Sequence, residues 1–140
     1  MVERIVVDTS VFVGALLGSG GPSRAVLRCC LQGAYQPLMG NAIFSEYESV
    51  IGRERILAQC RLSQAEIDTL LQAFLSVCRW TFIYYTWRPN LKDEADNHLI
   101  ELAVAGNATA IVTQNIRDFQ NAELLFPSLK ILTPADILKR

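Results

Sequence analysis

The sequence predicts an α/β protein, a three-layer α/β/α sandwich around a largely parallel sheet. Short β-branched or aliphatic runs recur along the chain, each separated from the next by a stretch with helical spacing. The first run, Ile5-Val6-Val7, has three β-branched residues in succession, as expected of a strand covered on both faces. At 140 residues, with 51% hydrophobic and 19% charged, the chain can build a core and is too apolar for disorder. Residues 1–140 read as a single domain.

The elements follow in order. Arg4 to Val7 is a strand that ends in a carboxylate and two hydroxyls, Asp8, Thr9 and Ser10, after which Val11-Phe12-Val13 resumes the apolar character. Gly18-Ser19-Gly20-Gly21-Pro22 is a loop. It lacks the Lys-Ser/Thr ending of a phosphate-binding loop and the spacing of a dinucleotide fingerprint. Pro22-Ser23 opens a helix to about Gln32, and Gly33 stops it. Tyr35 to Met39 is a short strand. Asn41 caps a long helix from about Ala42 to Ala58. Ser63-Gln64-Ala65-Glu66 is a capping box for a helix that reaches about Cys78. Thr81 to Tyr85 is aromatic and β-branched, hence a strand, with Trp80 and Phe82 as core candidates. The polar loop Arg88-Pro89-Asn90 leads to a helix from about Glu94 to Ala105, stopped by Gly106-Asn107. Thr109 to Thr113 is a strand, a short helix follows near Arg117 to Leu125, and Lys130 to Leu132 is the last strand. Thr133 caps a final helix with Pro134 at its first position.

Composition narrows the chemistry. A formal charge of −1 carries no general attraction to nucleic acid or anionic membrane. With four carboxylates committed to a cation, however, the remaining formal charge is +3. Arg24, Arg28, Arg53, Arg55 and Arg61 lie in the first half, and Arg24, Arg28 or Arg53 are candidates for phosphate contact. One histidine and four cysteines without a Cys-x-x-Cys spacing argue against a zinc site. Cys29, Cys30, Cys60 and Cys78 are expected to be buried and reduced. The longest apolar runs are too short for a membrane span, so a cytoplasmic protein without membrane contact is expected.

Four acids stand where solvent-facing charge is not expected. Asp8 ends a buried strand, where open parallel sheets place their ligands. Glu46 stands three after Ile43 and four before Val50, on the apolar stripe of its helix, while Glu48 faces away. Asp96 heads the stripe Leu99, Ile100 and Ala103; Asn97 and Glu101 share the opposite face and read as solvated. His98 lies off that stripe and is assigned no role. Asp118 follows the strand Ala110 to Thr113, where it caps a short helix or joins the other acids. Ionised acids share a partly buried site only when neutralised, and a hard divalent cation held by carboxylates and water does this. Such ions stabilise the attacking and leaving oxygens of a phosphodiester displacement. The hydroxyls of Thr9, Ser10 and Thr113 are placed to bond water or phosphate.

These segments resemble the PIN domain family of metal-dependent ribonucleases, and within it the VapC-like toxins of bacterial and archaeal toxin–antitoxin pairs. The matching stretches are IVVDTSVFVGALL at the start, FSEYESVI around Glu46, DEADNHLIELAVAGNATAIVT around Asp96 and TQNIRDF around Asp118. They span almost the whole chain, in the family's order. The resemblance implies Asp8, Glu46, Asp96 and Asp118 as the acidic quartet, both catalytic and metal-holding. It matches Thr9 to the family's small residue after the first acid, with Ser10 next to it, and gives Asp93 an outer-shell role; with the hydroxyl of Thr113 and the position of Asn115, these are the expected supporting residues. Position 115 is often Asp in other branches and Asn in many toxin-like ones. The resemblance also implies a five-stranded parallel sheet, Mg²⁺ or Mn²⁺ as cofactor, RNA as substrate, a homodimer and a small antitoxin protein as partner.

The reading that joins residues and resemblance is a metal-dependent endoribonuclease, the toxin of a toxin–antitoxin pair. The alternative of another class is a non-catalytic RNA- or protein-binding module on the PIN fold. It is disfavoured because a pure binder has no reason to gather negative charge where RNA must lie. A phosphatase with an aspartate nucleophile wants a second Asp two residues on, where this chain has Ser10. A receiver domain wants an acid pair and a late lysine that are not evident.

Overall fold

A computed structural model of the chain describes residues 2–18, 21–83, 94–119 and 128–139, with the side chains of residues 94–96 outside that description. Five strands, β1 (Glu3–Val7), β2 (Tyr35–Met39), β3 (Arg79–Trp80), β4 (Ala110–Val112) and β5 (Lys130–Leu132), form one sheet in the order β3-β2-β1-β4-β5. All four pairings are parallel. The helices are α1 (Thr9–Leu17), α2 (Pro22–Leu31), α3 (Asn41–Ile51), α4 (Glu54–Gln59), α5 (Gln64–Val77), α6 (Glu94–Ala105) and α7 (Pro134–Leu138), with a 3₁₀ turn at Ile116–Phe119. The α/β sandwich with a parallel five-stranded sheet is as expected.

Strand order decides where a ligand can sit. After β1 the chain builds β2 and β3 on one side, then crosses to build β4 and β5 on the other. The connections leaving β1 and β4 therefore diverge, and a crevice opens at the carboxyl ends of these two strands. Ile5 pairs with Ala110 and Val7 with Val112. The Asp8 N–H extends this ladder by donating to the Val112 carbonyl at 3.0 Å.

The core lies on both faces of β1, whose Ile5, Val6 and Val7 are buried. Phe12 of α1, Tyr47 of α3 and Phe74 of α5 meet as a ring cluster, with centroids 5.4 Å apart for Phe12–Tyr47, 6.0 Å for Phe12–Phe74 and 5.9 Å for Tyr47–Phe74. Pro37, which has no N–H to donate, is buried within β2. It is tolerated because β3 pairs only with Leu38 and Met39, leaving a single strand neighbour at position 37.

Several ends match expectation. Gly33 leaves α2 at φ 84°, and Asn107 leaves α6 at φ 56°; both are in the left-handed region that stops helices. Ser63 and Glu66 exchange the two hydrogen bonds of a capping box, and Thr133 and Asp136 form another.

Other readings are corrected. The stretch after Asp8 is a helix, α1, which buries Val11, Phe12, Ala15 and Leu16 as a stripe. The long helix expected over 42–58 is two, because the chain turns extended at Arg53 after Gly52. Its N-cap is Gly40, with Asn41 the first helical residue. The third strand lies at residues 79–80, ahead of the expected start at Thr81, and residues 81–83 are not strand, because β2 offers its pairing edge immediately after α5 ends. Thr81 adds one bond to the Met39 carbonyl, while Tyr84, Tyr85, Trp87 and the loop 88–90 lie outside the described residues. Trp80 and Phe82 are exposed, by 41% and 62%, instead of core; Trp80 sits at the sheet margin edge-on to Phe44. On α6, Asn97 and Glu101 are buried, because the helix is covered by α3 as well as by the sheet and so has a wider inner face than one apolar stripe. The short helix near 117–125 is described only through its 3₁₀ turn.

Candidate metal centre

β1 delivers Asp8 to the crevice, and the side chains around it fix its carboxylate. Oδ2 accepts hydrogen bonds from Thr113 Oγ1 at 2.7 Å and from Ser10 Oγ at 3.0 Å. Each of these hydroxyls is itself oriented. Ser10 Oγ accepts from the Gln114 N–H at 3.1 Å, and Thr113 Oγ1 from the Asn115 N–H at 3.0 Å. With a backbone donor occupying a lone pair, each hydroxyl turns its proton to Asp8, which suits an ionised acceptor. Among the described residues, Oδ1 has only a long contact, 3.4 Å, with Thr9 Oγ1. One carboxylate oxygen is thus fully engaged and the other retains capacity to accept.

The loop behind the site is fastened too. Gln114 Nε2 donates to the buried Ser23 Oγ of α2 at 2.6 Å. Gly14 of α1 gives this pair room, since a Cβ there would lie 2.8 Å from Ser23 Oγ. From the other side, the buried Tyr47 hydroxyl donates to the Val7 carbonyl at 2.6 Å, one residue before Asp8. Burial, then the nearby Cys78 thiol and Asp8, push the Tyr47 hydroxyl well above its ordinary range, so it stays a donor.

α3 and the turn after β4 bring in further acids. Asp8, Glu46 and Asp118 line one cleft of about 350 Å³ together with Thr9, Ser10, Val13, Val50, Arg53, Arg55, Ile56 and Asn115. Of the expected quartet, three acids therefore share a space, as do Thr9, Ser10 and Asn115. Thr113 is fully buried beneath, reaching the site through Asp8. Asp96 stands in the first turn of α6, but its side chain, like all of Asp93, lies outside the described residues. Among the described residues no three Asp, Glu, His or Cys side chains converge closely enough to hold an ion by themselves. The donor set nonetheless suits a hard cation: it is all oxygen, with room for water, and such ions bind through one or two carboxylates while keeping waters.

Arg53 lines the cleft, as a phosphate contact would, and Arg55 joins it. Arg55 stands among the first-half arginines in the sequence but not among the phosphate-contact candidates, because the break after Gly52 that turns it toward the cleft reads there as continuous helix. Arg24 does not join them. Its Nε and Nη2 donate to the Ala15 carbonyl at 3.2 and 2.9 Å, near the end of α1. Arg28 is exposed on α2 and absent from the cleft lining. His98 is half-buried beside a second cavity of about 320 Å³, lined also by Asn41, Ala42, Thr81, Phe82, Ile83 and Glu101. The four cysteines are free, with Cys30 buried and the others partly so. Burial and a neighbouring thiol raise Cys30 and Cys78 to about 12, so both stay protonated.

A parallel α/β sheet with an acid-lined cleft at its switch point defines the class of domain. The chain belongs to the PIN domain family, whose model matches residues 4–117. It is also similar in structure to a chain in the crystal structure of VapBC2 from Rickettsia felis bound to a DNA fragment from its promoter. That likeness has a TM-score of 0.62 at 15% identity and covers 93% of this chain and 98% of the other. No curated protein matches the sequence. Among the described residues no helix is long and apolar enough to cross a membrane.

Proposed function

We propose that this chain is a metal-dependent endoribonuclease, the toxin of a toxin–antitoxin pair. One observation carries the reading: Asp8, held by two oriented hydroxyls at the switch point, shares its cleft with Glu46 and Asp118. Family membership supports nuclease chemistry, and the likeness to a chain of VapBC2 supports an antitoxin partner.

In this reading Asp8, Glu46 and Asp96 would hold Mg²⁺ or Mn²⁺, and Asp93 would have an outer-shell role. When bound, a divalent cation would supply charge neutralisation for these carboxylates and electrophilic assistance to the phosphodiester. Asp118 accepts a hydrogen bond from the attacking water and so orients it. Asn115 offers its side-chain amide to a phosphate oxygen, and Thr9 presents a hydroxyl beside Asp8. Water attack breaks a P–O bond of RNA, leaving one fragment with the phosphate and the other with a hydroxyl. A homodimer is part of the same reading.

Mg²⁺ or Mn²⁺ calorimetry on wild type, Asp8→Asn and Asp96→Asn, followed by cleavage of a mixed RNA pool, tests this. We expect both substitutions to abolish binding and cleavage while leaving the chain folded. Retained cleavage in Asp8→Asn would sink the assignment. No ion binding by the wild type, even with RNA present, would move the non-catalytic binding module ahead.

A further inference from the structure

The cleft holds two opposite kinds of charge, and they are not paired with each other. Arg53 and Arg55 are exposed, line the same space as Asp8, Glu46 and Asp118, and make no side-chain hydrogen bond or ion pair among the described residues. Arginines with a structural task in this chain behave differently. Arg24 is doubly bonded to the Ala15 carbonyl, and Arg4 Nη1 donates to the Gly106 carbonyl at 3.1 Å. The turn at Gly52–Arg53 creates the arrangement. α3 carries Glu46 and Val50 along the cleft, the chain breaks, and α4 is anchored by the buried Ile56 with an arginine just before it and another three residues back.

A cation alone would not need guanidinium groups at the edge, and a simple anion would be repelled by three carboxylates. A ligand that suits both carries repeated negative charge and meets the acids through a cation. We infer that Arg53 and Arg55 form a backbone-binding rim that grips phosphates of a single-stranded nucleic acid next to the group presented to the acids. This rests on the nuclease reading of the cleft and deepens it. Guanidinium forks match phosphate oxygens and read no base. The rim therefore sets affinity and leaves sequence choice to other groups.

The test compares wild type, Arg53→Ala/Arg55→Ala and Arg53→Lys/Arg55→Lys. Binding of a fluorescein-labelled, mixed-sequence single-stranded RNA is followed by anisotropy in Ca²⁺ over about 50 to 200 mM KCl. Mn²⁺ calorimetry and the cleavage pattern on a mixed RNA pool are read on the same proteins. The alanine pair should weaken RNA binding by about tenfold for each arginine. It should lower the slope of log affinity against log salt by about 1.4, two single-strand phosphate contacts. The lysine pair should keep that slope while losing part of the affinity. Mn²⁺ binding should be unchanged or tighter, and the cleavage pattern should stay the same. Wild-type RNA affinity and salt slope in the alanine pair would overturn the rim, as would an altered cleavage pattern at unchanged affinity; neither touches the nuclease reading if cleavage persists. A wild type that binds neither Mn²⁺ nor RNA would bring down the nuclease reading, and the rim with it.

Discussion

At the scale of single residues, Thr113 shows how much of the site lies out of sight of solvent. Its hydroxyl donates a hydrogen bond to Asp8 and accepts one from the Asn115 backbone N–H. Thr113→Val keeps the shape but removes both bonds. Groups that orient metal-holding side chains typically matter about 10- to 100-fold in metal affinity. Mn²⁺ calorimetry should show a loss of about that size, with Thr113→Ser restoring most of it; an unchanged affinity would remove Thr113 from the site. Asp8, Thr9 and Ser10 were legible in the sequence because polar residues ending a buried strand have few structural uses. Gln114 was not, since its hold on Ser23 joins residues 91 apart in the chain.

At the scale of elements, capping was the most legible feature. The α5 capping box is written in four consecutive residues and needs no other part of the fold. Its backbone and side-chain bonds to Ser63 lower the Glu66 carboxyl below its usual value. A lowered folded-state value means that the stabilising charge is present above the unfolded value and is lost as pH falls through the folded one. Wild type should therefore lose slightly more stability on acidification through the Glu range than Glu66→Gln, read as urea midpoints against pH; the effect is small because Glu66 is exposed. Equal pH dependence in the two proteins would deny the cap an electrostatic part. The break at Gly52 was not legible, since a glycine within a helical pattern costs only about 1 kcal/mol and is often carried through. The third strand was misplaced because pairing to β2, rather than β-propensity, selects the two residues that join the sheet.

At the scale of the whole molecule, the ring cluster of Phe12, Tyr47 and Phe74 ties α1, α3 and α5 behind the strand that carries Asp8. Phe74 is 1% exposed. Phe74→Ala should cost about 3 to 5 kcal/mol in urea unfolding, a large share of the roughly 5 to 15 kcal/mol typical of a domain. A loss under about 1 kcal/mol would mean that the core closes over the gap, against the packing described. Read alone, the sequence determined the layered α/β architecture and marked Asp8, Glu46, Asp96 and Asp118 as candidate acids, because burial periodicity and strand ends are local properties of a chain. Only the tertiary structure decided that Asp8, Glu46 and Asp118 share a cleft, that Arg53 and Arg55 face it while Arg24 does not, and that Asn97 and Glu101 are buried. Those outcomes depend on strand order and on which helices cover which face, and both are settled by packing between residues far apart in sequence.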